Sequence, residues 1–395
     1  MKLPPYRWLL VVALAVIVNV GYGTIFYSFS VLLGEDAASG EFSRTLLSAS
    51  LGLGVIASGM LAPLVGTLCD AGGPRRVFLV GAVLGAAGLA MFSRATEGWQ
   101  VIVAWLLLLG PAMAAVFYEP AYVAIDQWFE GPQGKPLGLL TLVAGLSVTI
   151  FLPLTQWLVE RFGWRDATLV LGVVLLTVVW ALSLLVVRDR PREGAGLRDV
   201  NPKAVYKSVL EAFGYTDRTF WVISASFFLG LAATFALLFH QIAYLQDLGF
   251  PAGRVAAAVG VIGIISLPAR FFIPALGDRV PPRLLMAVVF GVLALSGLLL
   301  FGTGQWWRVY LYIALFGTVF GAVLPMRAVI MSRYFSGELY GRMMGIQQSM
   351  LAFAIAGGPF VAGALRDAGG SYTVPWLVFT MMFAAAIPLV LTVQK

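Results

Sequence analysis

Three charged side chains lie inside long apolar stretches of the sequence: Glu119, Arg270 and Arg327. A charge at the middle of a bilayer costs about 2.5–3.5 kcal/mol on insertion scales, so residues of this kind are candidates for function. A guanidinium offers parallel donors that match a carboxylate, and it stays charged when it is buried. Arg270 is therefore predicted to bind an organic anion. The alternative is an internal ion pair that holds helices together without touching a ligand.

Glu119 is followed directly by Pro120. A proline inside a helix has no N–H to donate to the carbonyl four residues earlier, here that of Val116, so the helix should bend at this point. A buried carboxylate tends toward its neutral form unless a cation lies near, which makes Glu119 a candidate proton carrier. A permanent salt bridge between Glu119 and Arg327 is the other interpretation. Both stay open, because breaking such a pair would itself act as a gate.

Other polar residues of the apolar stretches are candidates for the lining of a substrate path. His240 lies near one end of its stretch, where a histidine either carries a proton for coupling or forms hydrogen bonds as a lining residue. Tyrosines in such positions either present the hydroxyl to the path or pack with that hydroxyl satisfied. The candidate substrate-binding residues, besides Arg270, are Asn19, Tyr22, Tyr118, Tyr122 and Gln347.

The composition indicates which solvent surrounds the elements that carry these residues. Of the 395 residues 11% are charged, against about 25% in soluble domains. Apolar residues make up 60% of the chain and the mean hydropathy is +0.91. So much apolar surface excludes an ordinary cytosolic enzyme, a secreted disulfide scaffold and a disordered chain. The lipid bilayer is the expected surrounding.

Single residues exclude several kinds of site. Cys69 is the one cysteine, so no intrachain disulfide can form, and His240 is the one histidine. We therefore expect neither a metal site nor a cofactor, and the sequence has no G-x-x-x-x-G-K-[ST] loop to bind a phosphate. The net charge of +7 is spread over short loops, which is typical of a membrane orientation signal and not of a nucleic-acid partner.

Twelve stretches are long and apolar enough to cross a bilayer, which takes about 20 residues. They are residues 8–33, 45–69, 77–93, 99–128, 137–159, 167–187, 220–245, 252–276, 284–302, 309–334, 343–365 and 374–393. The first is too long for the core of a signal peptide and is expected to remain in the mature protein. The predicted fold class is an all-α membrane protein with twelve transmembrane helices in two pseudo-symmetric six-helix bundles.

The loop charges predict the orientation. With both termini on one side, the inner loops hold seventeen lysines and arginines and the outer loops hold seven. Because Lys and Arg are enriched in cytoplasmic loops, both termini are predicted to lie in the cytoplasm of a multi-pass protein of the cell membrane.

Landmarks recur at a nearly constant offset, which divides the chain into two halves. Asp70 and Asp278, for example, are 208 residues apart, and each stands five positions before an arginine. Parallel halves are a transporter architecture, in which the substrate site lies near mid-bilayer between the halves. The predicted domains are an N-terminal six-helix bundle (1–188), a cytoplasmic linker (189–218) with an amphipathic helix at 202–213, and a C-terminal six-helix bundle (219–395).

The loop after the second stretch, residues 66–76, reads GTLCDAGGPRR. It resembles the G-x-x-x-D-x-x-G-x-[RK]-[RK] pattern of the major facilitator superfamily of secondary transporters, and the second copy around Asp278 is degenerate. Physically, an aspartate and basic residues at the cytoplasmic mouth can pair across helices in one gating state and separate in the other. The resemblance implies a latch of Asp70, Arg75 and Asp278. Alternatively, these charges only set the topology.

A narrower similarity is to the monocarboxylate-transporter-like branch. Residues 128–145 resemble the start of the branch's fifth span. The branch has an arginine in span eight with an acidic residue one turn before it; Arg270 matches the arginine, and Ser266 stands in the acidic position. The resemblance implies a proton-coupled carrier of a small organic anion, a monocarboxylate, that works by alternating access and catalyses no reaction. We expect a monomer.

Two other classes of function remain open. A proton-driven exporter of drugs or amphipathic metabolites shares the latch, although the G-x-x-x-G-P run typical of antiporters is absent around 145–153. A large aromatic cavity that tolerates cations would favour it. A receptor or a membrane enzyme on the same scaffold is the third class, but the sequence shows no nucleophile–base set for it.

Overall fold

The computed structural model of the chain describes residues 6–34, 40–129, 134–190, 202, 218–277, 279–302, 304–334 and 338–393. Within these residues every regular element is helical. This is what a bilayer requires, because a span in lipid must satisfy its own backbone hydrogen bonds. The predicted all-α class is confirmed.

The helices follow one another along the chain with short connections. The N-terminal ones are α1 (Tyr6–Gly21), α2 (Ser28–Leu32), α3 (Arg44–Gly72), α4 (Pro74–Ser93), α5 (Gly98–Val103), α6 (Gly110–Val116), α7 (Tyr118–Trp128), α8 (Gly134–Gly145) and α9 (Ser147–Leu185). The C-terminal ones are α10 (Arg218–Asp247), α11 (Ala252–Leu276), α12 (Pro282–Leu300), α13 (Trp306–Phe320), α14 (Val323–Tyr334), α15 (Glu338–Gly369) and α16 (Thr373–Leu391).

Eleven helical stretches among the described residues are long and apolar enough to span a membrane. One of them, Leu139–Leu185, has 47 residues, about twice the length that one crossing needs. Gly163 divides it, since its φ of 77° and ψ of 162° are not helical. The predicted fifth and sixth spans are therefore the two arms of this stretch, and the twelve predicted spans are all accounted for.

Two segments depart from α-helical winding. Tyr22–Tyr27 continues α1 as a π-helix, and Ala104–Leu109 does so between α5 and α6. Such π-helical turns are rare and occur often at functional sites. The first begins at Tyr22, one of the predicted lining residues.

The chain forms two compact units. The first consists of Met1–Leu32 and Leu53–Tyr206, and the second of Leu33–Gly52 and Lys207–Lys395. Helix α3 thus begins in the second unit and ends in the first. The predicted amphipathic helix at 202–213 lies outside the described residues except for Pro202, and the domain boundaries stay a prediction.

Small residues allow close helix contacts inside each unit. In the first unit α4 packs against α9 and α1 against α8. In the second, α10 packs against α15 and α16, and α11 against α13. A Cβ on Gly358 of α15 would lie 2.1 Å from the carbonyl oxygen of Ala232 on α10, so only glycine fits there.

Candidate functional site

Arg270 lies in the last third of α11, two residues after Pro268. Its aliphatic stem packs on Gly321, where an added Cβ would lie 2.8 Å from Cγ of the arginine. The Nε atom is buried and has no hydrogen-bond partner. Across the part of the chain that the structure describes, the guanidinium makes no ion pair. The side chain is half-buried, so a cation with lost hydration and unused donors remains reachable.

Ser266 stands one turn before Arg270 on the same helix and is fully buried. Its hydroxyl donates to the carbonyl of Gly263 at 2.8 Å. A serine bonded to its own helix supplies no charge to the arginine. Arg270 therefore stands without the carboxylate that the resemblance pairs with it in the monocarboxylate branch.

The other predicted residues of the second unit are buried or lie outside the description. Arg327 on α14 is 7% exposed. Gln347 on α15 is fully buried and its Nε2 donates to Oγ of Ser224 at 3.2 Å, while its Oε1 has no hydrogen-bond partner. Asp278 falls outside the described residues.

In the first unit the fourth span is interrupted close to Glu119. Helix α6 ends at Val116 and α7 begins at Tyr118, because Phe117 has an extended ψ of −152°. The bend expected from Pro120 is thus confirmed, and it is placed three residues before the proline. A break there separates the proline ring from the carbonyl of Val116, with which it would clash in an unbroken helix.

Glu119 stands in the first turn of α7, inside the apolar stretch Gly98–Ile125, yet it is exposed. No ion pair involves this carboxylate in the described ranges. A charged side chain inside a membrane span faces water or protein and avoids lipid. The arrangement therefore suits a group that meets water or a ligand.

An aromatic cluster surrounds this carboxylate and consists of Tyr22, Phe117, Tyr118 and Tyr122. The rings of Tyr22 and Phe117 are stacked with centroids 3.8 Å apart, and those of Tyr118 and Tyr122 are stacked at 5.4 Å. Tyr22 and Tyr118 lie 5.2 Å apart, which joins the two pairs. The structure therefore brings together three predicted tyrosines and Glu119 where spans one and four both lose α-helical winding.

Asn19 has a different position from these tyrosines. It is 6% exposed, and its amide donates to the carbonyl of Val143 on α8 at 2.8 Å. Ser147 donates back to the carbonyl of Asn19 at 2.7 Å. These bonds join the first span to the fifth, and a substrate contact of Asn19 stays a prediction.

The predicted latch has one described side chain, Arg75, because that of Asp70 falls outside the description. The backbone N–H of Arg75 donates to Asp189 at 2.9 Å, and its guanidinium donates to the carbonyl of Leu184 at 3.3 Å. Gly73 has a φ of 85°, and a Cβ there would lie 2.2 Å from the carboxyl carbon of Asp189. The glycine thus makes room for a carboxylate that caps α4 and ties it to the end of α9.

Sequence reasoning missed Asp189, which stands 114 residues after Arg75. Its signal in the sequence is faint: it is an acidic residue between two arginines, Arg188 and Arg190, at the start of the segment that the sequence indicates as a linker.

A second group that the sequence did not indicate lies at one end of the second unit. We call it the outer cluster, because the loop charges predict that this end faces outward. Arg366 donates its Nε to Asp247 at 2.8 Å, and Arg44 approaches the same carboxylate at 3.6 Å. Thr45 donates both its backbone N–H, at 2.8 Å, and its hydroxyl, at 2.6 Å, to Asp367. The members are Arg44, Thr45, Asp247, Arg366 and Asp367.

His240 lies beneath the outer cluster and is 1% exposed. Its Nε2 is 3.0 Å from the carbonyl oxygen of Pro359 and 3.2 Å from the hydroxyl of Ser48. Because a carbonyl oxygen can only accept, Nε2 carries the proton. Nδ1 then accepts from the hydroxyl of Tyr372 at 2.7 Å. His240 is thus a neutral, fully bonded residue in this state.

Tyr372 connects His240 to the charges above it. The guanidinium carbons of Arg44 and Arg366 lie 5.6 and 5.5 Å from the centre of its ring, a cation–π arrangement on both. Burial raises the pKa of the Tyr372 hydroxyl above its usual value, with Arg44 acting in the opposite direction. The hydroxyl therefore stays a donor to His240.

The family follows from comparison with known proteins. The model of the Major Facilitator Superfamily matches residues 11–324. The chain belongs to the Major Facilitator Superfamily. "Monocarboxylate transporter 13" of Bos taurus is 30% identical over 367 residues, with 90% of this chain and 80% of that protein covered. "Monocarboxylate transporter 3" of Rattus norvegicus is 26% identical over 334 residues, covering 81% of this chain and 67% of that protein.

A solved structure shares the fold. The crystal structure of the nucleoside transporter NupG matches with a TM-score of 0.79 and 14% identity, over 98% of this chain and 99% of that one. A similarity at this identity shows the fold, which comprises two six-helix halves. The superfamily fold and the similarity to monocarboxylate transporters, both expected from the sequence, are confirmed, and the chain is a membrane transporter related to that branch.

These groups differ in what they can do chemically. Arg270 can bind a carboxylate, and Glu119 can take up and release a proton. Among the described residues no group of three His, Cys, Asp or Glu side chains could hold a metal ion. The outer cluster has its charges paired inside the protein, so its chemistry is that of a contact that forms or breaks.

Proposed function

We propose that this superfamily member is an alternating-access carrier of the cell membrane that moves a small monocarboxylate together with a proton. The observation that carries the proposal is Arg270, a guanidinium within an apolar helix whose buried Nε has no partner. An anion that reaches it restores the hydrogen bonds that burial has removed, with charge-assisted bonds worth about 1.5–3 kcal/mol. The kinship with monocarboxylate transporters supports a carboxylate as that anion.

Glu119 is the proposed proton carrier. It is exposed, has no ion-pair partner in the described ranges and stands at a break in its span. A proton that travels with a monoanion leaves no net charge to be moved, which avoids about 2.3 kcal/mol per charge per 100 mV. Pairing of Glu119 with Arg327 in one state of the cycle belongs to the same proposal, as do roles of Gln347 and His240 along the path.

The arrangement in the membrane is proposed from the loop charges: both termini in the cytoplasm, bundles at 1–188 and 219–395, a linker at 189–218, and a monomer as the working form. The chain acts as a carrier and is not proposed to catalyse a reaction.

Uptake into proteoliposomes tests the proposal. Labelled lactate, pyruvate and oxalate are offered with and without an inward proton gradient, and a monocarboxylate should accumulate only with the gradient. Arg270→Gln should lower the uptake rate about 10- to 100-fold, since each tenfold corresponds to 1.4 kcal/mol. Arg254→Gln, an exposed arginine of the same helix, is the matched control and should transport normally. Full uptake by Arg270→Gln would refute the anchor.

The coupling role has its own variant. Glu119→Gln should still exchange labelled acid for unlabelled acid but should not concentrate it under a proton gradient. Glu160→Gln, an exposed glutamate of the first unit, is the control. Concentrative uptake by Glu119→Gln would assign the proton to another group.

A proton-driven exporter of amphipathic compounds is the second candidate. The aromatic cluster around an exposed carboxylate favours it, because aromatic faces and a carboxylate suit an organic cation. The same vesicles, loaded with ethidium and given an opposing proton gradient, decide between the two. Ethidium flux that Glu119→Gln abolishes, without any acid uptake, would support the exporter.

A further inference from the structure

We infer that the outer cluster is the gate of the transport cycle, with Asp247 as the residue that holds it shut. The inference rests on transport by alternating access, as proposed above. It concerns residues that neither the latch motif nor the resemblance to the monocarboxylate branch indicates.

The cluster ties together the ends of three helices. Asp247 is the last residue of α10, Arg366 stands three positions before the last residue of α15 with Asp367 beside it, and Arg44 is the first residue of α3. Helix α3 differs from the other two because it begins in the second unit and continues into the first. A helix with this course changes its contacts when a carrier of two halves changes state.

The contacts of α3 are of a kind that can separate. Arg44 is bonded loosely: it lies 3.6 Å from Asp247, and its Nε and Nη2 have no hydrogen-bond partner. The pair of Arg366 with Asp247 is tighter, at 2.8 Å, and both of its residues belong to the second unit's own helices. The charges on α10 and α15 therefore stay paired when α3 leaves, which keeps the cost of opening low.

The helix surface beneath the cluster is also made for separation. A Cβ on Gly363 of α15 would lie 2.7 Å from the carbonyl oxygen of Arg44, and one on Gly52 of α3 would lie 3.1 Å from that of Ala356. Glycines at a helix contact let backbones approach without interlocking side chains, so the surfaces can part and meet again.

Closure also protects Ser48 and His240. Ser48 is fully buried below Arg44 and touches His240. The groups that face the imidazole are Arg44 and Ser48 from α3, Pro359 and Asp367 from α15, and Tyr372 before α16. Ser48 is thus a natural reporter, since it becomes accessible when the first turns of α3 leave this site.

The test measures how fast a cysteine at this position reacts. In a Cys69→Ser background, which removes the buried native thiol, Ser48→Cys is treated in intact cells with a membrane-impermeant thiosulfonate. Asp247→Asn should raise the labelling rate at least tenfold, and Asp247→Glu should restore the slow rate. Arg254→Gln, which removes a charge outside the cluster, should leave it slow. Equal rates in Asp247→Asn and the parent, or equal acceleration by Arg254→Gln, would overturn the inference.

A second measurement does not depend on destabilising the cluster. Thr45→Cys and Asp367→Cys, whose side chains meet in this state, are joined by an oxidant in the same background. Transport should stop on oxidation and return on reduction, whereas undiminished transport by the cross-linked protein would show that this contact need not open. The labelling assay uses no substrate, so it can fail or succeed independently of the proposed monocarboxylate.

Discussion

Arg366 and Arg270 show two different ways of keeping a guanidinium in an apolar span of the second unit. Arg366 donates to Asp247 at 2.8 Å and lies 5.5 Å from the ring of Tyr372. Arg270 has a buried Nε without a partner, and the residue one turn away is a serine bonded to its own helix. Where the protein itself supplies the counter-charge, the arginine stabilises the fold. Where it supplies none, the cost of desolvation remains to be offset by a ligand.

The largest expected difference between the two arginines concerns ligand-induced stabilisation. A carboxylate at 100 times its dissociation constant should stabilise the parent by about 2.7 kcal/mol. Arg270→Gln should lose this response and keep the melting temperature of the ligand-free parent, because no internal bond is removed. Thermal unfolding in detergent with lactate or pyruvate measures both. A ligand-free Arg270→Gln that melts well below the parent would place Arg270 among the structural ion pairs instead.

Arg366→Gln should show the opposite pattern. Removing one partner of a buried pair costs about 3–5 kcal/mol, and partial exposure reduces this to roughly 1–3 kcal/mol here. The ligand-free melting temperature should fall by a few degrees, while the carboxylate still stabilises the variant. Arg254→Gln controls for the loss of a positive charge. If Arg366→Gln melts like that control, the pair with Asp247 does not stabilise this state.

Ser266→Asp should make the Arg270 site resemble the outer cluster. A carboxylate one turn before the arginine can pair with it along the helix and compete with the substrate. The affinity for a monocarboxylate should fall about tenfold, equivalent to 1.4 kcal/mol. Ser266→Asn adds the same bulk without charge and should bind more tightly than Ser266→Asp. Equal affinities in the two variants would mean that crowding, and not charge, changes the site.

The smallest effect is expected at Tyr372. Because burial raises the pKa of its hydroxyl above the usual value, the stabilisation from this group is present below about pH 10 and is lost as the pH rises through the raised pKa. Tyr372→Phe removes the group that titrates and should lower stability by about 1 kcal/mol at neutral pH. Melting temperatures of parent and variant from pH 8 to 11 should converge. A gap that widens with pH would contradict this assignment.

The regions predicted well from the sequence are those with a local physical cause. The spans follow from runs of apolar residues, and the interruption of the fourth span follows from Pro120, whose missing N–H acts within one helical turn. The grouping of Glu119 with Tyr118 and Tyr122 is also local, since the three lie within two turns of one helix. Tyr22 joins them through stacking on Phe117, which no spacing rule indicates.

The outer cluster escaped prediction because its members are far apart along the chain. Thr45 and Asp367 are separated by 322 residues, and Arg44, Asp247 and Arg366 all stand at helix ends, where charges are usually solvated. In isolation each is an ordinary loop charge. Asp189 was missed for the same reason, because its partner Arg75 belongs to a motif that does not contain it.

The sequence by itself determined that this protein lives in a bilayer, how many times it crosses and which charges stand in the apolar spans, because hydropathy and helix length act locally and need no partner. The tertiary structure alone decided which of those charges are paired. Pairing depends on which helix ends meet, and that depends on packing between residues hundreds of positions apart. In this chain Arg366 has a carboxylate beside it and Arg270 does not, although the sequence shows each simply as an arginine in or near an apolar run.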